Sequence, residues 1–349
     1  MFTGTVDWRC TTPCDTNRTS WGTHRMTETT VAIVQHPSVP LDLGESLERA
    51  ADHISKAAEA GASLVVFPET WLTCYPAWVF GLAGWRDAVA RRWYAQFLSE
   101  SPVLDHDGGM DDGVAAIRKA AREAEVTVVM GLNERAGRAA GTLYNSLLTI
   151  GTDGRTLNLH RKLSPTHTER IVWAAGDGAG LRVVDTPAGR VGGLVCWEHF
   201  NPLARHALHT QNEEIHLAAW PDAPETHIIA ARSYALEGRC FVVSAAQIVS
   251  TSDIPPSLLE AYRAGLGPDA PTDGLLFGGG SHVVGPDGSW IVEPVFDEAR
   301  TILATFDLDR RYEELLDLDV TGHYSRPDVF RLSIDRSRRG SGVHFNSEE

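Results

Sequence analysis

The stretch that decides the fold is VAIVQ (Val31–Gln35), followed by ESLERAADHISKAAEAGA (Glu45–Ala62) and SLVVFPE (Ser63–Glu69). The first and last segments are short, β-branched runs typical of buried strands. In the middle segment Gly61 marks a helix stop, and apolar side chains recur at helical spacing at Leu47, Ala50, Ile54, Ala57 and Ala58. A strand, a helix and a second strand within about 40 residues predict a crossover unit, in which helices cover the strands.

The rest of the chain repeats this order with variation. A helix is predicted over Asp112–Ala124, and hairpins turn at Asp153-Gly154 and at Pro187–Gly189. A further helix is predicted over about Pro202 to Gln211, and the chain closes with the strand segments GGGSHVV, WIVEPV and TILATFDLD. Hairpins interleaved with helices predict an α/β fold, a four-layer α-β-β-α sandwich of two mixed sheets flanked by helices.

The predicted domain covers residues 28–332. Residues 1–27 form a polar, Thr-rich lead without the apolar core of a signal peptide. We expect this lead to be either disordered or no part of the native protein, with Met26 as the alternative start. Residues 333–349 are charged and rich in Gly and Ser, which predicts a loose polar tail.

Composition excludes several classes of protein. The chain has 31 basic and 46 acidic residues in 349, a net charge of −15, which argues against a nucleic-acid partner. No stretch approaches the roughly 18 apolar residues that a membrane helix needs. The cysteines are too few and odd in number for a disulfide framework, which favours a reducing cytoplasm: Cys10, Cys14, Cys74, Cys196 and Cys240.

Metal and cofactor motifs are absent from the sequence. Fourteen histidines invite a metal site, and His206 and His209 are three residues apart on a predicted helix. However, there is no HExxH, and no CxxC pair is followed by a second pair. The Gly-rich segments GDGAGL (Gly176–Leu181) and GGGS (Gly278–Ser281) lack the Lys-Ser/Thr of a phosphate loop. We therefore expect neither a metal nor a cofactor.

Reactive side chains stand at the ends of predicted strands. Cys196 ends RVGGLV and precedes a helix start, where the helix dipole favours a thiolate; the alternative is an inert buried cysteine. Glu69, Glu134 and Lys162 also follow strands, and each is by itself compatible with a solvated surface charge. A thiol nucleophile needs a base and a cationic partner, which these three groups would provide together.

These residues lie in segments that resemble the nitrilase superfamily (carbon–nitrogen hydrolases), and in particular its true nitrilase branch of bacterial type. The resemblance spans about Val31 to Leu332. The segments that carry it are VFPETWLTCYP with Glu69, GLNERAGRAAGTLYNSLLTI with Glu134, HRKLSPTHTERIVWAAGDG with Lys162, and GGLVCWEHFNPLARHAL with Cys196. The combination of RKLxPTxxER with CWEH is the most specific part.

The resemblance implies hydrolysis of an organic nitrile to a carboxylic acid and ammonia. Cys196 would be the nucleophile, Glu69 the general base, and Lys162 the group that stabilises the anion developing on nitrogen. Glu134 would hold Lys162 or position water. The resemblance also implies a homo-oligomer built from dimers, as in relatives that form spirals.

Substrate contacts are less defined. We expect His199 to have a supporting or pocket role, whereas Trp71, Trp173 and Trp197 are either pocket walls or core aromatics. Cys74 stands where the family usually has a small residue before Tyr-Pro, which alters the expected pocket wall. Three alternatives remain: an amidase of the same superfamily, a cyanide- or nitrile-hydrating enzyme that stops at the amide, and a catalytically silent assembly protein.

Overall fold

The computed structural model describes residues 28–81, 85–104 and 112–339. The predicted lead, residues 1–27 with Met26, lies outside the described residues, and so does the tail from residue 340. Within the described ranges no helix is both long enough and apolar enough to cross a membrane.

The first sheet contains six strands in the described part of the chain. Their bounds are β1 (Glu28–Gln35), β2 (Leu64–Val66), β3 (Thr127–Arg135), β4 (Leu143–Ile150), β5 (Thr156–Arg161) and β13 (Arg300–Asp307). The strand order is β13-β1-β2-β3-β4-β5. Strands β1, β2 and β3 are parallel to one another, and the other pairs are antiparallel. The predicted crossover from β1 to β2 is confirmed.

The second sheet contains seven strands in the same ranges. Their bounds are β6 (Val184–Thr186), β7 (Gly189–Val195), β8 (Ile215–Trp220), β9 (Phe241–Ala246), β10 (Ile248–Ser250), β11 (Leu275–Val284) and β12 (Trp290–Phe296). The order is β10-β11-β9-β8-β7-β6, with β12 paired to β11. Strands β7, β8 and β9 run parallel. Both sheets are therefore mixed, as predicted.

Helices pack on both sheets, and the described part of the chain contains seven of them. Their bounds are α1 (Leu43–Glu59), α2 (Ala88–Ser99), α3 (Ala115–Ala124), α4 (Pro202–His209), α5 (Glu225–Gly238), α6 (Pro256–Leu266) and α7 (Arg310–Glu314). Short 3₁₀ turns lie at Ala77–Gly81, His167–Ile171, Gly178–Gly180, Cys196–Phe200 and Thr251–Asp253. The sequence analysis did not predict α2, α6 or α7.

Side-chain alternation along the first sheet assigns each residue to one of two layers. Val31, Leu64 and Leu147 face the layer between the sheets, where they pack with residues of β7, β8 and β9. Met130 and Leu159 face the opposite layer and pack with α1 and α3. Because the side-chain period of a strand is two, a residue's parity decides which layer it enters.

The first residues of the predicted tail lie against the first sheet. Arg338 donates to the carbonyl of Leu159 at 2.7 Å and pairs with Asp177 at 3.2 Å. The backbone N–H of Arg339 also donates to Asp177. The described part of the tail, which we expected to be loose, is thus attached through a basic side chain to an acidic one.

Candidate active site

Three of the predicted site residues follow strand ends and are buried together. Glu69 comes three residues after β2, Lys162 directly follows β5, and Cys196 directly follows β7. Their exposed fractions are 0%, 1% and 4%. The ends of strands from both sheets thus bring a carboxyl, an ammonium and a thiol group into the layer between the sheets.

Glu69 and Lys162 form a buried ion pair. The Lys162 Nζ donates to Glu69 Oε1 at 3.0 Å, and the amide of Asn145 donates to the same oxygen at 2.6 Å. Gln247 donates to the backbone carbonyl of Glu69. Among the described residues Glu69 Oε2 has no hydrogen-bond partner, although it is buried. One oxygen of this carboxylate therefore remains open as a proton acceptor.

A second carboxylate, that of Glu169, completes the coordination of Lys162. The Lys162 Nζ lies 2.8 Å from Glu169 Oε2 and 3.1 Å from Oε1. Glu169 Oε2 also accepts the backbone N–H of Thr166, while Oε1 accepts the hydroxyl of Tyr75 at 2.7 Å. Both oxygens of Glu169 are thus occupied, in contrast to Glu69. The sequence analysis did not single out Glu169.

Cys196 starts a short turn, Cys196–Phe200, and its backbone has a φ of +52°. This left-handed conformation is uncommon for residues other than glycine and is a feature of strained functional turns. The charges of Glu69, Lys162 and Glu169 all act on its sulfur, and the backbone N–H of Trp197 lowers the pKa of the thiol. The nucleophile candidate therefore lies beside the Glu69–Lys162–Glu169 cluster.

Glu198 links the turn that carries Cys196 to the segment that carries Lys162. Its carboxylate accepts the backbone N–H of Val195 at 2.8 Å and that of Leu163 at 2.7 Å. His160 contacts it at 2.9 Å. Burial alone would raise the pKa of Glu198, but the His160 charge and these hydrogen bonds lower it below its usual range. An ionised Glu198 thus joins the ends of β5 and β7.

Burial and mutual charge set the protonation of the cluster. Burial raises the pKa of Glu69 to about 7 against the opposing charge of Lys162, and Glu169 adds to the rise. Burial also raises the pKa of the Cys196 thiol well above its usual range; the charge of Glu69 adds to this rise and Lys162 opposes it. Burial would lower the pKa of Lys162, but the surrounding negative groups raise it overall. The resting cluster therefore holds a neutral thiol and an ammonium.

Glu134 does not hydrogen-bond to Lys162, which is the first of the two roles that we expected for it. Its carboxylate accepts from the Arg161 Nε at 2.9 Å and from the Ser146 hydroxyl at 2.6 Å. The reason is the alternation of side chains along a strand. Glu134 is paired with Tyr144, and its side chain lies on the outward face of the sheet together with that of Arg161. Lys162, one residue further along, points to the other face. The strand alternation in TVVMGLNER already contained this signal.

The predicted aromatic contacts separate into three environments. Trp71 lies in the outer layer, where its indole N–H donates to the carbonyl of His36. The structure therefore places Trp71 in the core, where it packs in the layer between the first sheet and the helices α1 and α3. Trp173 is buried near the cluster, with its ring 5.7 Å from that of Tyr75. Trp197 is 53% exposed and packs on Phe200.

His199 lies directly under the Cys196 turn. Its Nδ1 is 2.6 Å from the Cys196 carbonyl oxygen, and its Nε2 is 2.9 Å from His216 Nε2. It is 1% exposed and stacks obliquely on Trp220 at 4.5 Å. It therefore supports the turn from below.

No group of three or more His, Cys, Asp and Glu side chains in residues 28–81, 85–104 and 112–339 is arranged to hold a metal ion. The chemistry that these residues offer is instead that of a thiol with an adjacent base, a fixed cation and a backbone N–H donor. Such a set suits addition to an electrophilic carbon followed by hydrolysis.

Comparison with known proteins identifies the class. Residues 30–313 match the family model described as carbon-nitrogen hydrolase. A nitrilase of Pseudomonas syringae pv. syringae (strain B728a) is 38% identical over 320 residues, which cover 87% of this chain and 89% of that protein. A bifunctional nitrilase/nitrile hydratase of Lupinus angustifolius is 36% identical over 307 residues, 86% of this chain and 84% of that protein.

The fold comparison agrees. A carbon-nitrogen hydrolase from Helicobacter pylori G27 superposes with a TM-score of 0.64 at 19% identity, covering 88% of this chain and 100% of that one. The predicted sandwich of two mixed sheets flanked by helices is therefore confirmed.

The protein is thus a hydrolase that acts on carbon–nitrogen bonds. The chain belongs to the carbon-nitrogen hydrolase family and, within it, to the nitrilase branch, as its sequence motifs predicted.

Proposed function

We propose that this protein hydrolyses an organic nitrile to the carboxylic acid and ammonia, with Cys196 as the nucleophile. The observation that carries the proposal is the open oxygen of Glu69 beside the buried Cys196 thiol, with Lys162 held between two carboxylates. The match to relatives named nitrilases, at 38% identity in one case, supports the nitrile as substrate.

The first half of the reaction forms a covalent adduct. Glu69 Oε2 takes the thiol proton, and the Cys196 sulfur forms a bond with the nitrile carbon while one π bond of the nitrile breaks. The negative charge that develops on nitrogen is stabilised by the Lys162 ammonium and the Trp197 N–H. The nitrogen then takes the proton that Glu69 removed from the thiol, which leaves a neutral thioimidate on Cys196 and returns Glu69 to its carboxylate form.

The second half consumes two water molecules. Glu69 removes a proton from the first water as it adds to the thioimidate carbon and passes it to the nitrogen, which gives a tetrahedral intermediate with an amino and a hydroxyl group. The hydroxyl proton then moves through Glu69 to the amino group, so the carbon–nitrogen bond breaks, ammonia leaves and the carbonyl group forms. The resulting thioester is cleaved by a second water, again activated by Glu69, so the carboxylic acid leaves and the thiol is restored. Glu169 fixes Lys162 throughout, because both of its oxygens are engaged.

A panel of nitriles tests the proposal. Purified protein should release ammonia and the matching acid, and added chelators should leave the rate unchanged. Cys196→Ala should abolish turnover without altering the circular dichroism spectrum or the melting temperature by more than a small amount. Ammonia from amides alone would replace the proposal by an amidase, and substantial turnover by Cys196→Ala would overturn the nucleophile assignment.

A second outcome deserves a separate measurement, because the Lupinus relative is named both a nitrilase and a nitrile hydratase. In that reaction the tetrahedral intermediate expels the thiolate instead of ammonia and releases an amide. The masses of the products distinguish the two paths: the acid supports full hydrolysis, whereas the amide alone would replace it by hydration.

We also infer that the chain assembles through a pair of its own subunits. Apolar side chains are exposed around the Cys196 turn and α5, with exposed fractions of 53% for Trp197, 60% for Leu203 and 56% for Ile229. Exposed apolar side chains of this size, on segments that pack against one another, support a subunit contact. Light scattering should give at least a dimer, and Leu203→Glu should reduce the mass; a wild-type monomer would refute the inference.

A further inference from the structure

A buried chain of hydrogen bonds runs from the Cys196 carbonyl into the second sheet. The carbonyl oxygen contacts His199 Nδ1 at 2.6 Å, and His199 Nε2 contacts His216 Nε2 at 2.9 Å. His216 Nδ1 then contacts Glu213 Oε1 at 2.8 Å. The side chains of His199, His216 and Glu213 are each at most 1% exposed, so solvent does not reach this row of hydrogen bonds.

This row of hydrogen bonds holds one proton more than two neutral imidazoles and one carboxylate supply. The three contacts each need one proton, because both atoms of a contact would otherwise repel each other as acceptors. Two neutral imidazoles carry only two N–H groups, and a carboxylate carries none. The third proton therefore resides on Glu213, on His216 or on His199.

The surroundings favour Glu213 as the carrier. Its second oxygen accepts the hydroxyl of Tyr234 at 2.6 Å, and the Tyr234 ring stacks on His216 at 3.6 Å. A charged imidazole here would be buried between aromatic rings without solvent. Burial raises the pKa of Glu213 to about 7 and lowers that of His216 well below its usual range. The neutral arrangement is thus a protonated Glu213 and two neutral histidines.

Titratable groups of the elements packed around it face this row of hydrogen bonds. His216 faces His160 and Glu198, and His199 faces His227 of α5. The groups that face Glu213 are His209 of α4, Tyr234 of α5, Arg311 of α7 and Cys240, which precedes β9. Glycine at position 192 leaves room for the carboxyl, since a Cβ there would collide with Glu213 Oε1.

The geometry points to His199 as a positioning residue: by holding the Cys196 carbonyl, it orients the Trp197 N–H toward the reacting nitrogen. A protonated Glu213 fixes the His199 ring through His216. The argument rests on the planar, trans peptide bond between Cys196 and Trp197, whose C=O and N–H point in opposite directions. Because His199 Nδ1 holds the carbonyl oxygen on one side of this peptide unit, the N–H of Trp197 points to the opposite side. This N–H lowers the pKa of the Cys196 thiol. This inference rests on the proposed function, in which that N–H stabilises the developing anion.

Two substitutions at His199 separate the carbonyl contact from mere packing. The amide nitrogen of Asn occupies about the position of His Nδ1, so His199→Asn retains the donor to the Cys196 carbonyl. His199→Leu fills similar space without a donor. On a nitrile that the wild type hydrolyses, His199→Leu should lower kcat and kcat/KM together by about 10- to 100-fold, as expected for a misaligned transition-state donor. His199→Asn should remain within about threefold of the wild type.

A second readout does not require turnover. The pH dependence of Cys196 alkylation by iodoacetamide, followed by mass spectrometry at that residue, reports the thiolate that the Trp197 N–H stabilises. It should move to higher pH in His199→Leu and stay in place in His199→Asn. Wild-type kcat and wild-type alkylation in His199→Leu would overturn the inference, as would equal impairment of the two variants. If His199→Leu does not fold, His199→Gln, whose amide cannot reach the carbonyl, replaces it.

The proton on Glu213 has its own test. In Glu213→Gln the amide N–H donates to His216 and the amide oxygen accepts from Tyr234, so turnover should be retained, whereas Glu213→Leu should lose it to the extent of His199→Leu. The infrared difference between the wild type and Glu213→Gln below neutral pH should show the C=O stretch of a protonated carboxyl. A carboxylate band instead, or Glu213→Gln as impaired as Glu213→Leu, would overturn the assignment. Nitrile hydrolysis by the wild type, lost in Cys196→Ala, establishes separately that the proposed function holds.

Discussion

Two buried charge clusters lie on opposite faces of the same sheet, and consecutive residues supply their cations. On the outer face, Arg161 binds Glu134, which also accepts the Ser146 hydroxyl, and the guanidinium stacks on Tyr144 at 3.9 Å. On the inner face, Lys162 lies between Glu69 and Glu169.

The difference between the clusters lies in what is left open. Every oxygen of Glu134 is engaged by hydrogen bonds, and one carboxylate balances one guanidinium. In the inner cluster two carboxylates share one ammonium, and Glu69 Oε2 has no partner among the described residues. A closed cluster of this kind stabilises structure, whereas an incompletely satisfied one is poised for proton transfer.

The largest effect should come from Glu69→Gln. The amide oxygen still accepts from Lys162 and Asn145, but the proton acceptor at Oε2 is lost. We expect kcat/KM for a nitrile to fall by about 10²- to 10⁴-fold, the range typical of a general base. Because the folded-state pKa of Glu69 is raised to about 7, its ionisation costs stability as pH rises from the unfolded value toward 7. The inactive variant should therefore melt no lower than the wild type above pH 7; turnover close to wild type would contradict the role.

The pH profile offers a second way to separate the clusters. Glu69 must be ionised to accept the thiol proton, so kcat/KM of the wild type should fall about tenfold per pH unit below about 7. Since Glu169 contributes to the raised pKa of Glu69, Glu169→Gln should move this acid limb to lower pH and reduce the maximal rate about tenfold through looser fixation of Lys162.

The control for that experiment is the outer cluster. Glu134→Gln should leave the acid limb at its wild-type position, because its carboxylate lies on the other face of the sheet. Rate profiles of the three proteins, measured in one buffer series, provide the comparison. An unshifted limb in Glu169→Gln would mean that this carboxylate does not act on the base.

Tyr75→Phe should have a smaller effect. The substitution removes the hydroxyl that donates to Glu169 at 2.7 Å but keeps the ring that packs on Trp173. Loss of one hydrogen bond to a charged group of the positioning partner should cost about 1.5 kcal/mol or less, which corresponds to a decrease in kcat of up to about tenfold. Steady-state kinetics and a melting curve measure both consequences, and a loss as large as that of Glu69→Gln would show that Tyr75 acts on the substrate directly.

Glu134→Gln should change turnover least. It leaves the buried Arg161 guanidinium without its counter-charge, so urea unfolding should show a loss of about 3 kcal/mol in stability. At a temperature where the variant is folded, kcat should remain within about twofold of the wild type. A large decrease in kcat with unchanged stability would reverse the assignment of the two clusters.

The sequence predicted the elements whose pattern is strictly local. The β1–α1–β2 unit, both hairpins and the strand-end positions of Glu69, Lys162 and Cys196 follow from alternation, helical spacing and turn residues, and the motifs identified the branch of the family. The expected contact between Glu134 and Lys162 relied on the strand-end position of Glu134 and did not consider on which face of the sheet its side chain lies.

Glu169 was missed for a different reason. It lies in a single 3₁₀ turn after Lys162, where no strand or helix period places its side chain. The available signal was the capping box Thr166-x-x-Glu169, which fixes the turn, together with the need of a buried ammonium for more than one acceptor. Similarly, α2 and α6 owe their positions to long-range packing on the turn Ala77–Gly81, which local patterns do not report.

The Glu198 carboxylate, held by backbone N–H groups from both sheets, has a consequence for how the enzyme fails. The Cys196 sulfur and the Lys162 ammonium keep their separation as long as the two sheets stay packed together, because the Glu198 carboxylate binds the backbone of both segments. Activity should therefore be lost on heating over the same temperature range as the global unfolding transition, and no folded but inactive species should accumulate.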